Sequence, residues 1–185
     1  IKSAPDNSRM LYMGRLSRNK GLEILLDAVK IAAKNNPKIK LVLLGKDFDG
    51  TEAVLKDKIS KSGIGANVEM LGEVSNKRKI DEIAKARFCV SASEYEGFGI
   101  AVIEQMAAGN IPLVNDIPNF RWFVRDGKSG FVFNFRDANL ACDKIAKAMK
   151  MTSKELDAMA GEARKDAMRF EWDNVIEEIE KAYLE

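Results

Sequence analysis

Short apolar runs and longer stretches of helical spacing alternate along this chain, roughly every 25 residues. Arg9 to Met13 reads as a first strand ending at Gly14. Leu22, Leu25, Leu26, Val29 and Ala33 then fall on one face of a helix from about Leu22 to Asn35. Lys40 to Leu44 is a continuous apolar strand closed by Gly45, and a helix over about Thr51 to Ser62 stops at Gly63. Val68 to Leu71 ends at Gly72. Asn76 is expected to cap a helix through Ala86, and Phe88 to Ala92 is the next strand. Ile100 to Ala108 reads as an apolar helix, and Ile111 to Val114 and Phe131 to Phe133 as further strands. From Asp137 onward the pattern is helical: Asp137 to Met149, Thr152 to Arg169 and Asp173 to Leu184. Thr152-Ser153-Lys154-Glu155 forms a capping box for the second of these. The polar Ile1 to Ser8 reads as a linker or domain boundary.

Such alternation predicts parallel βαβ units, hence an α/β, doubly wound parallel sheet of about six strands finished by C-terminal helices. In open sheets of this kind ligands sit at the carboxyl ends of the strands. Two unusual loops, residues 14–21 and 93–99, fall at such ends.

Composition narrows the chemistry. With 185 residues, 46% apolar and 31% charged, the chain reads as one soluble globular domain. A net charge of +2 implies no nucleic-acid or membrane partner, and no apolar run approaches the ~20 residues that span a bilayer. The expectation is a cytoplasmic domain with no direct membrane insertion, in an enzyme whose full length is open to membrane association. Cys89 and Cys142, distant in sequence and in apolar surroundings, read as buried free thiols. There is no histidine. Imidazole acid/base catalysis, Ser-His nucleophiles and histidine metal sites are therefore excluded, and two distant cysteines make no zinc site. Chemistry must rest on carboxylates, Lys and Arg, backbone groups, or another chain.

The first loop, Gly14-Arg15-Leu16-Ser17-Arg18-Asn19-Lys20-Gly21, places three cations at the start of a helix. Cations there oppose the helix dipole unless an anion lies between them. Arg15 and Lys20 make a natural diphosphate clamp, a planar fork beside a point charge; a solvated surface loop is the alternative. The glycine spacing fits neither a Walker A motif nor a dinucleotide fingerprint. The second loop runs Ser93-Glu94-Tyr95-Glu96-Gly97-Phe98-Gly99-Ile100 and leads to Glu104 on the following helix. A buried-facing Glu104 needs partners, and paired sugar hydroxyls suit a carboxylate. It also reads as an early-helix acid favoured by the dipole, and Glu96 as a solvated loop charge. A glycoside hydrolase pair is a further option for two carboxylates.

These residues carry a resemblance covering almost the whole chain. Gly14-Arg15-Leu16 with Lys20-Gly21, the Glu-x7-Glu signature Glu96-Gly97-Phe98-Gly99 to Glu104 followed by Met106-Ala107-Ala108-Gly109, Pro112-Leu113-Val114, Asp126-Gly127 with Gly130-Phe131, and Phe170-Glu171-Trp172 occur in order. Together they resemble the C-terminal, nucleotide-sugar-binding domain of retaining GT-B glycosyltransferases of family 4 (glycosyl transferases group 1). The resemblance implies a Rossmann-like half of a GT-B fold and a metal-independent hexosyltransferase that retains configuration through front-face departure and attack. It implies no cofactor, only a GDP- or UDP-linked sugar as donor. By the same resemblance Gly14, Arg15 and Lys20 hold the diphosphate, and Glu96 the transferred sugar. Gly97 and the amides of Phe98, Gly99 and Ile100 close around sugar and phosphates, Glu104 binds the ribose, and Gly72, Glu73 and Val74 flank the base. Glu96, Arg15 and Lys20 carry the catalytic roles.

Three departures stand out. Pro118-Asn119-Phe120-Arg121-Trp122-Phe123-Val124 replaces the family's Pro-Glu-hydrophobic pattern, and Gly45 to Gly50 lacks the usual glycine-acid-glycine form. The family's N-terminal acceptor domain, which supplies a histidine, is expected to lie outside these 185 residues, leaving this domain inactive by itself. Asn115-Asp116-Ile117-Pro118 with Phe120-Arg121 resembles some mannosyltransferases of polysaccharide assembly and points to GDP-mannose. A non-catalytic nucleotide-sugar module and a sugar-nucleotide epimerase are the alternatives. The last helix, with an apolar stripe of Trp172, Val175, Ile176, Ile179, Ala182, Tyr183 and Leu184, either crosses to the acceptor domain or packs locally.

Overall fold

The computed structural model describes residues 4–171 together with 173, 174 and 176. Six strands, β1 Asp6–Met13, β2 Lys40–Leu44, β3 Val68–Gly72, β4 Ala86–Ser91, β5 Ile111–Asn115 and β6 Phe131–Phe133, form one sheet in the order β3-β2-β1-β4-β5-β6. Every pairing is parallel. The expected doubly wound sheet is therefore present, and its strand order reverses between β1 and β4. That reversal opens a crevice above the carboxyl ends of these two strands, the place where doubly wound sheets bind ligands.

The helices are α1 Leu22–Asn35, α2 Thr51–Ser62, α3 Asn76–Lys85, α4 Ile100–Ala107, α5 Pro118–Phe123, α6 Ala138–Met149 and α7 Ser153–Met168. Alternation along β1 sends Met10 and Tyr12 to one face and Leu11 to the other, so the sheet has two apolar sides to cover. Leu25 of α1, Leu55 of α2 and Ile145 of α6 pack on the first. Ile83 of α3 packs with Leu11 on the second, as do Val102, Ile103 and Met106 of α4 with Cys89, Val114 and α5. Helix α7 serves both, through Leu156 and Met159 on one side and Ala163 and Ala167 on the other. Both cysteines are buried and unpaired, as expected, and burial pushes both thiols up. No helix among the described residues is long and apolar enough to cross a membrane.

Several boundaries differ from expectation. Strand β1 begins at Asp6, inside the segment read as a linker. The cap of α3 is Ser75, whose hydroxyl accepts from the Arg78 N–H, and Asn76 is the first helical residue. Helix α5 was not anticipated: its six residues are too few to display a periodicity. The helix expected over Asp173 to Leu184 lies largely outside the described residues.

One close approach fixes the crevice. Gly21, at φ +63°, passes so near β4 that a Cβ there would lie 2.1 Å from the Ala92 carbonyl oxygen. Gly21→Ala therefore meets both left-handed strain and backbone overlap, and should cost about 3 kcal/mol in urea unfolding. A loss under ~1 kcal/mol would mean that the loops are not in this contact.

Candidate functional site

The first loop leaves β1 at Gly14 and is zipped to the loop after β2. Gly14 N–H donates to the Leu44 carbonyl at 3.0 Å, Leu16 N–H to Lys46 at 2.8 Å, and Phe48 N–H to Leu16 at 3.0 Å. Tyr12 supports it from below, its hydroxyl donating to the Arg15 carbonyl at 2.7 Å. Burial, and secondarily the charge of Glu96, push this phenol above its ordinary range, so it stays a neutral donor. The Arg15 guanidinium lies over the Phe48 ring at 4.6 Å, which holds its planar fork at the crevice mouth. After a single 3-10 turn, Arg18–Lys20, the chain reaches Gly21 and α1.

The second loop leaves β4 and is held from beneath. Asn115, at the end of β5, donates its side-chain N–H to the Ser93 carbonyl at 3.1 Å and accepts the Phe135 N–H at 3.0 Å. Asn119 of α5 donates to the Gly97 carbonyl at 2.8 Å. Gly99 caps α4 with its backbone alone. A Cβ there would lie 3.1 Å from Phe120 and 3.2 Å from Phe123, so α5 presses directly on the turn. No side chain caps α4 and no acid occupies its first turn. Its leading N–H groups therefore face the crevice with their partial positive charge unspent.

The two loops meet there. Lys20 Nζ lies 2.7 Å from Glu96 Oε1, and Ser93 donates to the same oxygen at 2.9 Å. Ser91 in turn donates to Ser93 at 3.1 Å. Of the three cations on the first loop, Lys20 thus has the negative partner that the dipole argument demanded. A cleft of about 410 Å³ surrounds the contact, lined by Gly14, Arg15, Lys20, Glu96, Phe98, Gly99 and Ile100 among others. Seven residues singled out in the sequence are brought together in one place.

The others sit apart. Gly97 is in the turn but outside the cleft lining. Glu104 is not buried-facing: α4 turns Val102, Ile103, Gln105 and Met106 inward, and Glu104 shares the outer face with Ile100. Its carboxylate, 45% exposed, lies 3.5 Å from Lys79 of α3. Gly72 ends β3, two strands from β1, and Glu73 and Val74 follow it. The Gly72 carbonyl accepts the Gly45 N–H at 2.9 Å, and Val74 belongs to the apolar group that includes Met13, a cleft residue. The turn after β3 leads into α3, whose Lys79 faces Glu104, and neither that turn nor Glu104 lines the cleft. Sequence reasoning gave no site role to Tyr12, Ser93 or Lys79, and took Asn115 only as part of a run resembling mannosyltransferases. Asn115 and Lys79 act through partners distant in the chain, whereas Tyr12 and Ser93 reach Arg15 and Glu96 three positions away. Among the described residues no group of three or more His, Cys, Asp or Glu is placed to hold a metal ion.

A family model described as glycosyl transferases group 1 matches residues 2–166. The GDP-mannose:cellobiosyl-diphosphopolyprenol alpha-mannosyltransferase of Xanthomonas campestris is 31% identical over 90% of this chain and 44% of that protein. A phosphatidyl-myo-inositol mannosyltransferase of Mycobacterium tuberculosis is 28% identical over 94% of this chain and 46% of its own length. The chain thus spans less than half the length of these relatives. Among solved structures, Anabaena HepE in complex with UDP and glucose superposes with a TM-score of 0.82 at 22% identity, over 96% of this chain and 48% of that one. This last likeness establishes the fold.

The loop that carries Glu96 depends on Asn115. Asn115→Ala strands two buried backbone groups and should lower stability by about 2–4 kcal/mol. It should also speed amide hydrogen exchange across residues 94–100. Unchanged exchange there would show that the loop is held by other contacts.

Proposed function

The chain belongs to the glycosyl transferases group 1 family, and we propose that it binds the nucleotide-diphosphate sugar donor of a retaining hexosyltransferase. The observation that carries this reading is the meeting of Arg15, Lys20, Glu96 and the uncapped start of α4 at the point where the sheet order reverses. Two cations and a helix N-terminus suit a diphosphate, and they suit it best as a leaving group gathering negative charge. Glu96 suits a sugar hydroxyl: Oε1 is engaged by Lys20 and Ser93, and among the described residues nothing donates to Oε2. Glu104, exposed and paired only at 3.5 Å, is assigned to the ribose hydroxyls, and the Gly72–Val74 turn to the base.

No imidazole is present, and neither glutamate is assigned an acid or base role in this reading. The proposed retaining transfer proceeds by departure and attack on the same face of the sugar, with the leaving diphosphate stabilised by Arg15, Lys20 and the α4 amides. The acceptor is assigned to a second domain, and the 185-residue chain alone is expected to bind donor without transferring it. The similar Xanthomonas enzyme supports GDP-mannose as donor, and both similar mannosyltransferases support a lipid-borne acceptor for the complete enzyme.

Isothermal titration of the chain with GDP-mannose and UDP-glucose tests this reading. GDP-mannose should bind at least about fivefold more tightly. Lys20→Gln and Arg15→Gln should each weaken it about tenfold or more, which corresponds to ~1.4 kcal/mol for a lost charge-assisted contact. Absence of binding by either sugar nucleotide at millimolar concentration would refute the donor-site assignment.

A further inference from the structure

The contact that joins the two loops bears on what the cleft does with a ligand that lacks a sugar. Lys20 and Glu96 are mostly buried, with 14% and 18% of their side chains exposed, so water screens their attraction little. Ser93, fully buried, fixes the carboxylate by donating to the oxygen that Lys20 also touches, and Ser91 backs Ser93. The ammonium that a diphosphate requires is therefore already shared with an anchored anion.

Resting on the donor-binding reading, we propose that Glu96 competes with the diphosphate for Lys20 and thereby discriminates the sugar-bearing donor from the bare nucleoside diphosphate left after transfer. When the donor binds, a hydroxyl of its sugar donates to the carboxylate and replaces what Lys20 withdraws as it turns to the phosphates. A nucleoside diphosphate brings no such hydroxyl. Lys20 then serves two anions at once, and its contact with the diphosphate is weakened by the share that Glu96 keeps. Glu96 accordingly weakens the product more than the substrate and favours its release.

The measurement is isothermal titration of the 185-residue chain with GDP and GDP-mannose, or with UDP and UDP-glucose if the wild type prefers uridine. Wild type, Glu96→Gln, Lys20→Gln and the double variant are compared, each shown folded by thermal unfolding; Glu96→Ser replaces Glu96→Gln if the latter fails to fold. Glu96→Gln should bind the bare nucleoside diphosphate about tenfold more tightly and the sugar nucleotide no more tightly. In the Lys20→Gln background the same change should alter nucleoside diphosphate affinity less than about twofold. A Glu96→Gln protein that binds the nucleoside diphosphate no better than wild type overturns the proposal. So does a tightening that persists without Lys20, because Glu96 would then act without competing for it. Wild-type protein that binds no nucleotide of either kind removes the donor-binding reading itself, and the proposal with it.

Discussion

A mostly buried ion pair, Lys20 with Glu96, closes the gap at which the sheet reverses its strand order. Each partner belongs to a loop leaving a different strand, and 76 positions separate them in the chain. An ion pair in such a setting offers little net stability, because desolvation offsets most of the attraction. Its consequence is positional. It holds an ammonium and a carboxylate at one point of a cleft where, in the proposed donor-binding reading, one serves phosphate and the other a sugar hydroxyl.

Everything beneath that point keeps it in place. Gly21 allows the first loop to lie against the Ala92 carbonyl, and Gly99 allows α4 to start against the rings of Phe120 and Phe123. Asn115 ties the second loop to the end of β5 and to Phe135. Phe48 gives Arg15 a surface to lie on. The departures from the family pattern find structural roles here. The Gly45–Gly50 loop zips onto the first loop, and Pro118 to Phe123 becomes a short helix that presses on the Gly99 turn. Neither segment needs to touch a ligand to matter for one.

The strands were legible because each is a short apolar run stopped by glycine or a polar turn, and α1 and α2 because Gly21, Gly50 and Gly63 punctuate them. Legibility ended where an outcome depended on distant partners. Glu104 sits in an apolar sequence and suggested burial, yet the three residues α4 gives the core beside it, Val102, Ile103 and Met106, leave it outward toward Lys79. Asn115, read only as part of a run after the strand Ile111 to Val114, ends β5 and is the clasp of the second loop. The pairing of Lys20 with Glu96 was implied only through a shared ligand, whereas the side chains also contact each other directly. Position 76 shows the limit of local signals: Asn and Ser both cap helices, and only the backbone geometry chose Ser75.

The most direct measurement is a crystal structure of the chain grown with GDP-mannose or, failing that, UDP-glucose. A diphosphate is expected between β1 and β4, within hydrogen-bonding reach of Lys20 Nζ, the Arg15 guanidinium and the first N–H groups of α4, with a sugar hydroxyl at Glu96 Oε2. A nucleotide bound elsewhere on the sheet, with the Lys20–Glu96 cleft unchanged, would contradict it.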